Sequence, residues 1–426
     1  MKKLLFILNL ALIGLTSCEE SVTETVTYKI NEPVFMSAQT FRSSVKVIPE
    51  PQTIVNHGKM CFYQGYLYIS ESEKGIHIID NRDAANPQKI GFIELLGNAD
   101  LSIRNGLLYA DSYIDLVWFY VSNPALPELK GRLENVFNNA LPRMDNFYGY
   151  DFQMTNAGQN DGVVIGWKLK ERTEEVTHYT GGGWWGWGRP DIMMDGAINS
   201  TAKGGSTTGI TGSMSRFTIY NDNLYAVINN AMTIFDLTEA QPKKAAENIY
   251  LGWNVETIFS YKDNMFMGTP TGMLIYSVTD PLKPIYQSSI QHVFGCDPVV
   301  VDNDLAYVTV HSGNLCGQNV NELMIINVSN VKLPKLIVTY SMTSPKGLGI
   351  DNGKLFLCDD GLKIYTITTP ETLMSNRLVH FSGMDGYDVI PTANTLMMIA
   401  EDGLYQYDYS NINQIRQISK IAIGKN

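Results

Sequence analysis

Apolar and polar positions fall into short runs that repeat along most of the chain. A strand-like run closing on an apolar triplet, usually with an aromatic centre, recurs as Leu67-Tyr68-Ile69, Leu108-Tyr109-Ala110, Leu224-Tyr225-Ala226, Met265-Phe266-Met267, Ala306-Tyr307-Val308, Leu355-Phe356-Leu357 and Met397-Met398-Ile399. The central residues are separated by 41, 116, 41, 41, 49 and 42 positions. Several triplets follow a turn such as Asn221-Asp222-Asn223 or Asp351-Asn352-Gly353, residues that tolerate the left-handed backbone of a tight hairpin. A further strand follows each triplet, often after a glycine, as at Gly75, Gly272, Gly361 and Gly403. Several of these run into a turn with proline, at Asn86-Pro87, Asn123-Pro124, Asp280-Pro281 and Thr369-Pro370. Strands at this spacing with no helical period between them predict an all-β fold. A period near 41 residues with four strands per unit predicts a β-propeller.

The first strand of each unit supplies the blade count. Aligning back from the triplets places Lys59, Asp100, Arg216, Glu256, Asp297, Gly347 and Asp388 at one position. Asp151, in Gly149-Tyr150-Asp151-Phe152, joins the series because it resembles Gly386-Tyr387-Asp388-Val389, and Val163-Val164-Ile165 follows as a partner strand. Eight hairpins result, the third degenerate. The expectation is eight blades, or seven if the third hairpin merges with a neighbour.

Ile76-His77-Ile78-Ile79-Asp80, Leu323-Met324-Ile325-Ile326-Asn327-Val328-Ser329 and Met273-Leu274-Ile275-Tyr276-Ser277-Val278-Thr279-Asp280-Pro281 resemble the LVIVD repeat. Residues 45 to 424 are similar to LVIVD-repeat lipoproteins of Bacteroidetes. The resemblance implies a propeller and carries no catalytic residues.

The N-terminus adds an export signal. Lys2 and Lys3 precede an apolar stretch from Leu4 to Leu15, shorter than the roughly 20 residues a membrane span needs. Leu15-Thr16-Ser17-Cys18 then reads as a lipobox with Cys18 as the lipidated residue. The expected organisation is a signal peptide over 1–17, a lipid-anchored segment over 18–44 and a propeller over 45–424. That places the chain on the outer membrane or the cell surface, with the membrane as one partner through the lipid. Its net charge of −11 opposes a nucleic-acid partner, which would call for a basic footprint.

Three features are candidates for chemistry. The aligned position puts Asp100, Asp151, Arg216, Glu256, Asp297 and Asp388, with Lys59, around one ring at the channel mouth. There the acids would focus a negative potential on a cation, amine or sugar, or instead hydrogen-bond backbone amides and dock the blades. An insertion over 173–213 carries Trp184, Trp185 and Trp187 among glycines. These indoles would stack on sugars or anchor a protein partner, or fold back as a cap. Cys296 and Cys316 flank one hairpin and form a possible disulfide in an export compartment. No His-Glu-x-x-His, Gly-x-Ser-x-Gly or phosphate-binding loop is present, and the six histidines lack metal-ligand spacing. Neither a cofactor nor a catalytic residue is expected. The sequence favours a binding scaffold for an envelope protein or glycan, with a glycan-active hydrolase or lyase as the alternative.

Overall fold

The computed structural model describes residues 20–137, 140–145, 147–157, 162–180, 208–291, 298–311 and 320–424. The described residues form two compact units, one drawn from 1–35 and 143–194, the other from 36–142 and 195–426.

The larger unit is a β-propeller of seven blades, built from residues 57–94, 101–133, 217–250, 257–291, 299–341, 345–381 and 386–422. The four strands of each blade run in sequence order as an antiparallel meander, and the first sheet is widened to six by Ile210–Thr211 on its inner edge and Lys46–Ile48 on its outer edge. The first blade shows the plan: His57–Tyr63, Tyr66–Glu71, Gly75–Asp80 and Gln88–Glu94 run from the inside outward. Second and third strands are buried almost throughout because a neighbouring blade covers each face, whereas fourth strands such as Lys243–Tyr250 are largely exposed. The first hairpin turns on left-handed residues, for instance Asn105 (φ 50°) with Gly106 (φ 74°) and Asn303 (φ 48°) with Asp304 (φ 61°).

The acid that ends many third strands folds the next connection. The Asp80 carboxylate accepts from the Arg82 backbone N–H, and Asp236, Asn327 and Asp408 do the same for Thr238, Ser329 and Ser410. A second such turn starts three residues later at Asp83, Asp280, Asn330 and Asn411. The stretch after the third strand, as in Asn327-Val328-Ser329-Asn330, is thus a pair of side-chain-closed turns. A register shift between third and fourth strands follows in every blade, as between Ile78 and Ile79.

The ring closes between the first and seventh blades by packing. Met60, Leu67, Ile69 and Ile79 share one cluster with Ile390, Met397, Ile399 and Leu404. Beneath it two buried amides exchange hydrogen bonds: Asn81 Nδ2 donates to Gln406 Oε1 at 3.0 Å and Gln406 Nε2 donates to Asn81 Oδ1 at 2.5 Å. Gly424 N–H reaches the Ile54 carbonyl at 2.8 Å.

The third expected hairpin is not a blade. Residues 152–157 form a short helix, and Val163 to Ile165 begin an 18-residue strand, Val163–Thr180, that pairs with Glu20–Met36. Asn31 binds the carbonyls of Asp145 and Tyr148, and the rings of Tyr150 and Trp167 lie 5.2 Å apart. Most of the segment expected to follow the lipid, residues 20–35, is therefore a strand of the smaller unit. Residues 38–43, a single helical turn, join the propeller through Arg42, which pairs with buried Asp115 at 2.9 Å.

Candidate functional site

Five of the aligned residues are in the propeller channel, and all five are buried: Lys59, Asp100, Arg216, Glu256 and Asp388. Their position is fixed by the repeat, since each lies in the first strand of a blade or immediately before it. The expected open acidic mouth is not formed by Asp100 and Asp388. Residues 208–216, the last six residues of the predicted insertion and the three that follow it, cross between the innermost strands and take up both carboxylates.

The path of this segment can be followed bond by bond. Thr208 bridges Arg104, and Gly209 N–H donates to the Ile103 carbonyl in the second blade. Ile210 and Thr211 pair with Phe62 and Cys61 in the first. The Ser213 amide and hydroxyl both donate to Asp388 Oδ1 in the seventh blade, at 2.9 and 2.8 Å, while Leu348 N–H of the sixth donates to the Ser213 hydroxyl at 2.9 Å. The Ser215 hydroxyl and the Arg216 amide then donate to the two oxygens of Asp100, and the Ile258 amide of the fourth blade donates to the Ser215 carbonyl at 3.1 Å. Nine residues thus touch the inner strands of five blades before the chain enters the third.

Two glycines make room. A Cβ on Gly212 would lie 1.8 Å from Asp388 Oδ2, and one on Gly347 would lie 2.5 Å from Oδ1. Gly347 breaks the charged series because the carboxylate of the next blade occupies its side-chain space.

Burial pushes the Asp388 carboxyl up to about 7, although the Ser213 and Val389 donors and the Lys59 ammonium oppose the rise. Burial also raises Asp100, again opposed by Lys59, Ser215 and Arg216. An isolated buried carboxylate is costly, and each bond to its ionised form recovers part of that cost. Here those bonds come from the chain itself. The arrangement ties blades together and leaves Asp100 and Asp388 buried and hydrogen-bonded. No cluster of three or more His, Cys, Asp or Glu suited to a metal occurs among the described residues.

The other predicted residues divide cleanly. Asp151 belongs to the smaller unit, where its carboxylate accepts from the Gln153 amide at 2.9 Å and pairs with Arg172 at 3.3 Å; it is not part of the channel ring. Cys18, Trp184, Trp185, Trp187, Cys296, Asp297 and Cys316 lie outside the described residues.

A second repeated acid went unread in the sequence. Asp111 Oδ1 accepts from the amides of Ala99 and Asp100 and from Asn98 Nδ2, and Asp359 Oδ1 accepts from the amides of Thr343 and Ser344. Glu71 accepts from Val55 and Asn56 and meets His77 Nε2 at 3.0 Å. Each clasps the segment leading into its own blade. The signal was present as an acid two or three residues after a triplet centre, at Tyr68, Tyr109 and Phe356. Burial raises Asp111 to about 6 against its amide donors. At Glu71 burial pulls upward, but the His77, Val55 and Asn56 bonds prevail and its value falls.

A cleft of about 680 Å³ opens between the second and third blades, away from the channel acids. Arg104, Trp118, Tyr120, Lys130 and Arg132 line one wall, and residues 237–241 the other.

No protein-family profile matches the sequence, and no curated protein matches it. Solved structures do share the fold. The periplasmic gluconolactonase of Pseudomonas aeruginosa is similar at a TM-score of 0.52 and 8% identity, over 87% of this chain and 97% of that one. A candidate 6-phosphogluconolactonase of Bacteroides fragilis is similar at 0.51 and 10% identity, over 88% and 98%. At such identity the likeness concerns the propeller alone.

Proposed function

We propose that this chain is a lipid-anchored protein of the outer membrane or cell surface whose propeller is a binding and interaction scaffold, akin to the LVIVD-repeat lipoproteins its sequence resembles. One observation carries the reading. Asp100 and Asp388, two of the acids that made hydrolysis conceivable, are buried and hydrogen-bonded to residues 213–216 of the same chain. Glycoside hydrolysis uses two carboxyl groups about 5–10 Å apart across a space that admits substrate and water. Carboxyls closed by their own backbone serve docking instead. The lactonase names of the similar structures choose a substrate to assay and supply no activity to this chain.

Two measurements test the proposal. Cys18→Ala is expected to move the protein from the membrane fraction to the soluble one, and unchanged membrane association would overturn the anchor. Purified protein is expected to leave gluconolactone and envelope glycans unhydrolysed. Turnover that disappears on Asp388→Asn, with unfolding behaviour retained, would replace the scaffold reading with the hydrolase alternative.

A further inference from the structure

We infer that the outer rim of the fourth and fifth blades docks on an anionic phospholipid surface, a second membrane contact that rests on the lipid anchor proposed above. In five blades a proline stands just before the fourth strand, at Pro87, Pro127, Pro242, Pro284 and Pro334, and the two residues on either side of it lie at the outer rim. The first blade has Ala85, Asn86, Gln88 and Lys89 there, and the third has Ala240, Gln241, Lys243 and Lys244. The second includes an acid, Glu128. The fourth instead shows Leu282, Lys283, Ile285 and Tyr286, and the fifth Lys332, Leu333, Lys335 and Leu336. Two neighbouring blades thus present five large apolar side chains, each 41–61% exposed, with three exposed lysines and no acid at these positions. The Ser288 hydroxyl of the fourth blade donates to the Val331 carbonyl of the fifth at 2.5 Å and holds the two sets side by side.

The lysines of this rim are not neutralised by the chain. On the third blade Lys243 pairs with Glu239 at 2.6 Å and Lys244 with Glu247. Lys283, Lys332 and Lys335 form no ion pair among the described residues. Asp280, two positions before Leu282, has its carboxylate on the Leu282 amide at 3.1 Å. Unpaired cations gathered at one rim run against a net charge of −11. Exposed apolar groups set among lysines match a bilayer interface, where apolar side chains enter the headgroup boundary and the ammonium groups remain among the anions. Each lysine at an anionic surface strengthens attachment about fivefold. Leu282 and Leu333 lie in turns closed by Asp280 and Asn330, while Ile285, Tyr286 and Leu336 are at the start of the outermost strands. They form a projecting face, which fits a flat surface better than it fits a peptide. Glu371, in the corresponding connection of the sixth blade, ends it.

Protein purified from its cells, with its N-terminus as the cell leaves it, is mixed with vesicles of phosphatidylglycerol and phosphatidylethanolamine, or of phosphatidylcholine alone. Its lysines are then acetylated and their rates read individually by mass spectrometry. Lys283, Lys332 and Lys335 are expected to react at least about fivefold more slowly on the anionic vesicles, and Lys243 on the third blade equally on both. At about 1 M salt, where the Debye length is about 3 Å, the difference is expected to vanish. Leu282→Ser/Leu333→Ser changes two exposed positions and is expected to lose most of the protection, with thermal melts confirming its fold. Flotation on phosphatidylcholine vesicles at high salt reads the anchor by itself, so the two proposals fail separately. A chain that does not float lacks the anchor, whereas one that floats with the three lysines equally reactive on both vesicles lacks the docking. Equal reactivity, protection that persists at high salt or in the folded double variant, or protection that grows with protein concentration without vesicles, as a second copy would give, overturns the proposal.

Discussion

Asp388 joins the channel segment to the seventh blade, and replacing it separates the contribution of its shape from that of its charge. Its Oδ1 accepts three bonds, from the Ser213 amide, the Ser213 hydroxyl and the Val389 amide, at 2.8–2.9 Å. Asp388→Ala strips the acceptor from three buried donors. At about 1–3 kcal/mol for each group left unmet, and allowing for partial relaxation, the loss is about 3–5 kcal/mol. Asp388→Asn keeps the acceptor and removes the charge. The folded carboxyl titrates at about 7 against 3.8 for the ordinary group, so the fold binds the proton more tightly than the unfolded chain does. The stabilisation that comes with protonation is therefore fully present below the unfolded value and lost as pH rises through about 7. Between pH 5 and pH 7 the loss amounts to about 2 kcal/mol, at about 1.4 kcal/mol per unit and less near pH 7, where the folded carboxyl is half titrated. Urea unfolding of the wild type and of Asp388→Asn from pH 5 to pH 8 reads it directly. The variant is expected to gain on the wild type steadily as pH rises to about 7. Asp100 and Asp111 titrate in the same direction in both proteins and cancel in the difference. A difference that is flat with pH, or an Asp388→Ala variant as stable as the wild type, would refute the assignment of Asp388 to docking.

Gly212→Ala places a methyl where Asp388 Oδ2 lies and is expected to cost about 1–3 kcal/mol by overpacking, read as a fall in urea midpoint. Gln406→Leu orphans the Asn81 amide at the ring closure and is expected to cost about 1–3 kcal/mol, with the double variant Asn81→Leu/Gln406→Leu recovering part of it; strict additivity of the two single changes would show that the pair is not coupled. Asp111→Ala frees three donors around residues 98–100, and its expected signature is faster amide exchange there before global unfolding. Mass spectrometry without reductant is expected to find Cys296 and Cys316 bonded, and free thiols at both would remove that expectation.

The local chemistry of the repeat was legible because each blade rebuilds it from nearby residues. The triplets, the left-handed turns and the Asp-Pro connections each act over a few positions, and all seven blades that contain a triplet formed where the period placed them. The eighth was read from four residues around Asp151 that match those around Asp388. That likeness was too short to weigh against what followed it. Val163–Thr180 is three times the length of a strand such as Gly75–Asp80.

The sequence by itself determined an all-β propeller, the level at which its channel charges align and the turns that define each blade, because those depend on contacts closed within about 41 residues. Tertiary structure alone decided the partner of Val163–Thr180 and the occupant of the channel. Ser213 meets Asp388 across 175 positions and Ser215 meets Asp100 across 115. Such a pairing leaves no periodic trace in the chain. Whether a buried carboxylate faces a ligand or its own backbone depends on which distant segment fills the space before it.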